Sequence, residues 1–446
     1  MSRLEELIQE LCPDGVEYKS LGEIASDIYR GTGIKRNEVT ETGIPCVRYG
    51  EIYTTYGIWF DQCISHTTLD KVKSPKYFEY GDILFVITGE SVEDIAKSTA
   101  YVGHEKCIAG GDIVVVKHEQ DPKYLSYALA TTDARRQKSA GKVKSKVVHS
   151  SVPAIAAIQI PIPPLEIQRE IVRLLDNFTE LIAELTAELT ARKKQYAHYR
   201  NVMLTFKNEE SMNVRLDEIA HFSYGYTDKA GDRGDARFIR ITDINDDGCL
   251  NPEDAKYITV TDANKKYLLK KGDLLVARTG ATYGKTLYVE SDAPAVYASF
   301  LIKLSLDNNR ILNRYYWHFS KSSLYWQQAE KLVSKGGQQQ FNANAVGRVI
   351  VPVPSLEIQQ KIINVLDNFD AICSDLNIGL PAEIEARRKQ YEYYRDLLLT
   401  FAESGSTVLT DRQTDRQTDR HDIIRLLQHV FGYVELPLAE ITHVFR

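Results

Sequence analysis

The chain has 446 residues, 43% of them hydrophobic and 26% charged, which suits two or three folded domains and excludes wholesale disorder. No apolar run approaches the roughly 18 residues of a membrane span, and the six cysteines lie far apart without a CxxC pair, which argues against a zinc module or a small disulfide framework and fits a reducing cytoplasm. The formal charge of −6 makes nucleic-acid binding depend on where basic side chains are concentrated rather than on their number.

The opening MSRLEELIQEL is amphipathic, unlike a signal peptide. Residues 1–160 then read as a mixed α/β domain dominated by strands, with the runs IPCVRYG, DILFVIT and DIVVVK punctuated by glycines. From Asp133 to His149, Arg135, Arg136, Lys138, Lys142, Lys144 and Lys146 face the single acid Asp133. Such a stretch suits neutralising phosphates without reading bases; a solvated charged loop is the plain alternative. Arg48 and Tyr49, after the first of these strands, are weaker candidates for the same surface.

A central spacer follows at 161–207. It begins PIPPLEIQREIVRLLDNF and is helical by its stripe Leu174, Phe178, Leu181, Leu185 and Leu189. Within it a four-residue unit repeats as Glu180-Leu181, Glu184-Leu185 and Glu188-Leu189. A helix from Thr179 to Phe206 would extend about 40 Å at ~1.5 Å per residue, close to the roughly 34–36 Å between successive major grooves on one face of a duplex.

The chain then repeats itself. Residues 208–351 form a second mixed domain with strands RFIRIT, DLLVART and FLIKL, and 352–402 form a second spacer whose PVPSLEIQQKIINVLDNF copies the first at an offset of 191 residues. ARKKQYAHYRNVMLTF recurs as ARRKQYEYYRDLLLTF at an offset of 195. Ile362, Leu366, Phe369, Cys373 and Leu376 form the apolar seam of the second spacer, which Gly379 and Pro381 should break. The fold class expected is α+β: two tandem mixed α/β domains separated by long helical spacers that form an antiparallel coiled coil.

In the second domain the counterpart of the basic stretch is rich in amides, with Gln338, Gln339, Gln340, Asn342 and Asn344 near Lys335. Asn and Gln suit adenine edges, so the two copies differ as two unlike half-sites require. RTGATYGK presents Arg278, Thr279, Thr282, Tyr283 and Lys285 as a possible DNA-facing loop, with a simple hairpin turn as the equal alternative. Arg240 and Thr242 stand where the first domain has Arg48 and Tyr49.

The order domain, spacer, domain, spacer, the proline-rich lead-ins Pro161-Ile162-Pro163-Pro164 and Pro352-Val353-Pro354-Ser355, and the RKKQY and RRKQY helix ends together resemble the specificity subunit of type I restriction-modification systems, over residues 1 to about 402. The resemblance implies a non-catalytic subunit whose two target recognition domains each read one half of a bipartite, asymmetric site in double-stranded DNA. It implies spacers that set the gap and dock two methyltransferase subunits, and restriction subunits in the full complex. The methyl donor, S-adenosylmethionine, would be used by the partner, with no cofactor or metal bound by this chain. In keeping with that, the sequence lacks a GxGxxG or Walker loop, an Asn/Asp-Pro-Pro-aromatic motif and an HExxH spacing. The competing reading is a structural adaptor that uses its coiled coil for assembly.

The tail, 403–446, departs from this pattern with the tandem unit Thr-Asp-Arg-Gln from Thr410 to Arg420. Polar low complexity of this kind reads as a linker. The codons ACA GAC AGA CAG spell the unit from a tandem tetranucleotide, so repeat slippage would shift the reading frame and vary the C-terminus, a form of phase variation.

Overall fold

The computed structural model describes residues 3–89, 91–92, 94–140, 148–206, 211–334, 339–374 and 378–402. Lys142, Lys144, Lys146, Lys335, Gln338, Leu376 and the 403–446 tail lie outside the described residues. The chain forms two compact units, one built from residues 1–182 and 386–446, the other from 183–385. These units cut across the linear boundaries: each takes in part of both spacers.

In the first unit, the strands Ala25–Arg30, Ile113–His118, Ile83–Val86, Ser98–Tyr101 and Trp59–Phe60 form a five-stranded sheet in that order. A second sheet runs Ser65–Thr67, Ile44–Val47, Cys107–Ala109, Tyr77–Phe78. The runs DILFVIT and DIVVVK are apolar without alternation because the central strands are covered on both faces. Ile83, Phe85, Val114 and Val116 join the cluster beneath the helices, while Leu84, Val86, Ile113 and Val115 join the cluster on the other face.

The second unit repeats this plan. Its larger sheet is Ala220–Tyr224, Leu301–Leu306, Leu274–Ala277, Thr286–Tyr288, and its smaller sheet is Tyr257–Ile258, Ala236–Ile239, Ala295–Tyr297. Leu274, Val276, Ile302 and Leu304 face one core and Leu275, Ala277 and Leu301 the other, the same period-two division.

A short antiparallel pair closes each domain, Tyr18–Ser20 on Gln159–Pro161 and Met212–Arg215 on Ile350–Val353. The second strand of each pair runs through the prolines into a spacer. Tyr124 donates its hydroxyl proton to Pro161 O at 2.9 Å, and Tyr315 does the same to Pro352 O at 2.7 Å. Just inside each spacer helix a buried glutamine holds the bend. Gln168 accepts from Asp121 N and donates to Gln120 Oε1 and Pro163 O; Gln359 accepts from Leu312 N and donates to Arg310 O and Pro354 O. The repeated LEIQ motif is therefore the lock that fixes the strand-to-helix turn.

The first spacer is one helix of 39 residues, Leu165–Met203, beginning 14 residues before the Thr179 start used above. The second is two helices, Leu356–Ser374 and Leu380–Leu398, divided in the neighbourhood of Gly379 and Pro381; Pro381 occupies the first turn of the new helix, where its missing N–H costs nothing. In the first unit Phe178 lies 5.3 Å from Tyr394 and Tyr127 lies 6.3 Å from Tyr391, ring centre to ring centre. There the chain also returns to its beginning, since Val16 N donates to Ala402 O at 2.9 Å. In the second unit Tyr196 and Tyr199 pack on Phe369 at 6.1 and 5.5 Å. Of the expected stripe in the first spacer only Phe178 is fully buried; Leu174, Leu181, Leu185 and Leu189 are half-buried.

Candidate nucleic-acid interface

The two sequence stretches singled out in the second domain, the RTGATYGK loop and the amide-rich segment, come together in space. In the second unit, Phe341 N donates to Arg278 O at 2.7 Å, and Gly280 N and Thr279 Oγ1 both donate to Gln339 O at 3.3 Å. In the first unit Thr88–Gly89 pairs with Val148–His149 in the matching place. The RTGATYGK loop and the amide-rich stretch therefore form one surface, and the Val148–His149 end of the first domain's basic stretch lies at its equivalent.

Arg278 is the best-placed cation of that surface. Its guanidinium lies 5.2 Å from the Tyr224 ring and 5.3 Å from the Phe300 ring, and its Nε donates to Ser299 O at 3.0 Å. Both rings are exposed, Tyr224 at 45% and Phe300 at 50%. Among the described residues no carboxylate pairs with Arg278, so its charge is positioned without being neutralised. Tyr224 also accepts a hydrogen bond from Ala343 N at 3.1 Å. Sequence reasoning missed Tyr224 and Phe300; the available signal was an aromatic at each of two strand ends, Tyr224 before Gly225 and Phe300 before Leu301.

The equivalent place in the first unit has different chemistry. Gly31 and Gly225 each sit hard against a neighbouring strand, where a Cβ would meet Gly110 O or Ala298 O at 2.2 Å, which aligns Arg30 with Tyr224 and Asp112 with Phe300. Here Arg30 Nη2 is paired with Asp112 Oδ1 at 2.6 Å, and Ile87 stands in the position of Arg278.

Several candidates are otherwise engaged. Lys138, expected among the phosphate-neutralising cations, is buried at 7% exposure with its ammonium on Ser98 Oγ and Leu129 O, so its side chain turns into the core and leaves the outer face of its helix to its neighbours. Arg135 and Arg136 are exposed on the same helix, Thr132–Ser139, and Arg136 pairs with Asp133. Arg48 is held by Glu51 at 2.9 Å, and Arg240 by Asp243 at 2.7 Å and Asp254 at 3.3 Å. These pairs tie down the turns that follow Val47 and Ile239. Hydrogen bonding to Asp243 and Asp254 raises the Arg240 pKa, against its partial desolvation. Tyr49 and Thr242 are exposed beside them.

Lys285 pairs with Asp246 at 2.6 Å, and hydrogen bonding and charge from the lysine lower the Asp246 pKa. Tyr283 packs between Trp326 and Phe341, Thr279 is buried, and Thr282 Oγ1 donates to Thr279 O. Gln339, Gln340, Asn342 and Asn344 are exposed, although Asn342 Oδ1 caps the helix Ala343–Gly347 by accepting from Ala345 N at 3.0 Å. Among the described residues no group of His, Cys, Asp and Glu is arranged to hold a metal ion, and no helix is long and apolar enough to cross a membrane.

Comparison with known proteins places this architecture. Residues 13–192 and 208–386 each match the family described as the type I restriction modification DNA specificity domain. A Haemophilus influenzae chain that carries the name of a type I restriction enzyme specificity subunit is 32% identical over 59% of this chain and 68% of its own length. The EcoR124I/EcoR124II specificity subunit of Escherichia coli is 33% identical over 54% of this chain and 63% of its own. Among solved structures, a type I restriction-modification S subunit from M. genitalium superposes with a TM-score of 0.50 at 15% identity, covering 86% of this chain and 96% of that one. A chain from a study of complex assembly and conformational transition of the type I R-M system gives 0.58 at 17% identity, covering 87% and 98%. These two establish likeness of fold. With both of its domains matched by the family, this chain belongs to the type I restriction-modification DNA specificity family.

Proposed function

We propose that this chain is the DNA-reading subunit of a type I restriction-modification complex, in which each unit reads one half of a bipartite, asymmetric site. The observation that carries this is the contrast between equivalent positions on one duplicated frame: an Arg30–Asp112 ion pair in the first unit, and Arg278 between Tyr224 and Phe300 in the second. The frame is kept and the presented chemistry is changed, as two unlike half-sites require. The spacers set the length of the unread gap as an antiparallel coiled coil and dock two methyltransferase subunits, which restriction subunits join. Methyl transfer from S-adenosylmethionine belongs to those partners; this chain is non-catalytic and works in the cytoplasm.

Salt dependence separates this function from that of a protein adaptor. Affinity for a duplex carrying the site should fall steeply and linearly in a double-logarithmic plot against salt concentration, with a slope set by the number of phosphates neutralised. A flat response would assign the chain to assembly alone.

A further inference from the structure

The first unit contains a cavity of about 290 Å³ between the helix Thr132–Ser139 and the segment Asp94–Ser98, lined by Ile58, Asp94, Lys97, Ser98, Arg135 and Lys138. The duplication reveals what the fold itself requires here. The helices Thr132–Ser139 and Ser323–Leu332 are equivalent by their caps, Thr131 accepting from Ala134 N and Ser322 from Tyr325 N. They also share a reciprocal glutamine clamp, Gln137 on Gln159 and Gln328 on Ile350. In that register Ala134 matches Tyr325, Arg135 matches Trp326 and Lys138 matches Ala329.

The second unit fills the place with aromatic rings. Tyr325 is fully buried and donates to Gly284 O at 2.8 Å, the Trp326 ring lies 3.2 Å from where a Cβ on Gly284 would stand, and Ala329 is buried. The first unit replaces both rings and the alanine with a hollow carrying an ammonium at its wall.

Lys138 is held by two neutral acceptors, Ser98 Oγ at 3.0 Å and Leu129 O at 2.8 Å, and lies 5.4 Å from the Phe85 ring. Among the described residues no carboxylate pairs with it. A buried ammonium without a counter-charge is costly unless an anion joins it or it loses its proton; burial depresses the Lys138 pKa to about 7, and the neighbouring Arg135 pushes it the same way. Lys97, whose pKa burial also lowers, lines the same cavity with its amine on Tyr53 O at 3.1 Å. We propose that this cavity is an oxyanion site, specific to the first unit, that binds a phosphate group with Lys138 as its buried anchor and Arg135 at its mouth. The group recognised is the same whether free in solution or carried on a DNA backbone.

Equilibrium dialysis of the full chain with labelled inorganic phosphate at constant ionic strength tests the site. The expected result is about one phosphate bound per chain, lost in Lys138→Met and weakened roughly tenfold in Arg135→Gln, a change of the size expected for one charge-assisted hydrogen bond. Ala329 at the equivalent position indicates that Lys138→Met will fold; should it not, the exposed Arg135→Gln variant decides alone. Binding that is absent from the wild type, or unchanged in the variants that fold, would overturn the proposal. Addition of duplex separates the sources: displacement of the labelled phosphate in proportion to duplex bound assigns the site to the DNA backbone, and undisturbed binding assigns it to a free oxyanion. Because the phosphate measurement requires no duplex, its outcome is independent of whether the chain reads DNA.

Discussion

Replacing Gln168 or Gln359 by Leu should destabilise its own unit by about 3 kcal/mol, because each amide holds a strand-to-helix turn through three hydrogen bonds. Gln168 receives Asp121 N at 3.0 Å and donates to Gln120 Oε1 at 2.8 Å and Pro163 O at 2.7 Å. Gln359 receives Leu312 N at 2.9 Å and donates to Arg310 O at 2.8 Å and Pro354 O at 2.9 Å. Leucine is similar in size, so the loss is polar rather than volumetric. It strands one N–H and at least one carbonyl at each site, and each such group costs about 1–3 kcal/mol when buried, offset in part by the apolar gain. The three tryptophans permit separate readings in denaturant unfolding: Trp59 lies in the first unit, Trp317 and Trp326 in the second. A loss below about 1 kcal/mol at either site would refute the view that LEIQ is a hydrogen-bonded lock.

Acid should destabilise the second unit. His318 is buried, its Nε2 lies 2.8 Å from Asp367, and burial depresses its pKa to about 4 in spite of that carboxylate. A base whose pKa is lower in the folded than in the unfolded state leaves stability intact above the unfolded value, near 6.5, and loses it as pH falls toward the folded value. The contribution is about 3 kcal/mol between pH 6.5 and 4, and His318→Gln should flatten that part of the tryptophan-monitored stability profile; an unchanged slope would count against it. Inserting one more Thr-Ala-Glu-Leu after Leu189, within the continuous helix Leu165–Met203, adds about 6 Å of helix. Methylation mapping should then find a longer unread gap with both half-sites unchanged, and altered half-sites would contradict the spacer's role.

Much of this molecule is legible in its sequence because duplication is a comparison the chain makes with itself. The LEIQ and RKKQY blocks locate the spacers, and Gly379 with Pro381 marks the neighbourhood in which the second spacer divides. The strands stand out by their apolar runs, since burial on both faces removes the polar alternation. What periodicity cannot convey is which distant segments share a unit: Val16 meets Ala402, and Tyr127 meets Tyr391, through long-range packing with no local signal. Charge counting along 133–149 likewise cannot tell Arg135, which points outward, from Lys138, which turns inward, because helix phase against the core decides the direction. Tyr224 and Phe300 escaped notice because their significance lies in the guanidinium between them, which only the fold assembles.

If this chain reads DNA as proposed, two dissimilar surfaces on one repeated scaffold read two separate halves of a site. Genome-wide adenine methylation mapping in cells whose only copy of this chain carries Arg278→Ala tests it most directly. Base preference should relax or change in one half of the methylated motif, while the other half and the gap stay as they were; a change spread over both halves, or a motif untouched by the loss of Arg278, would contradict such a division of reading.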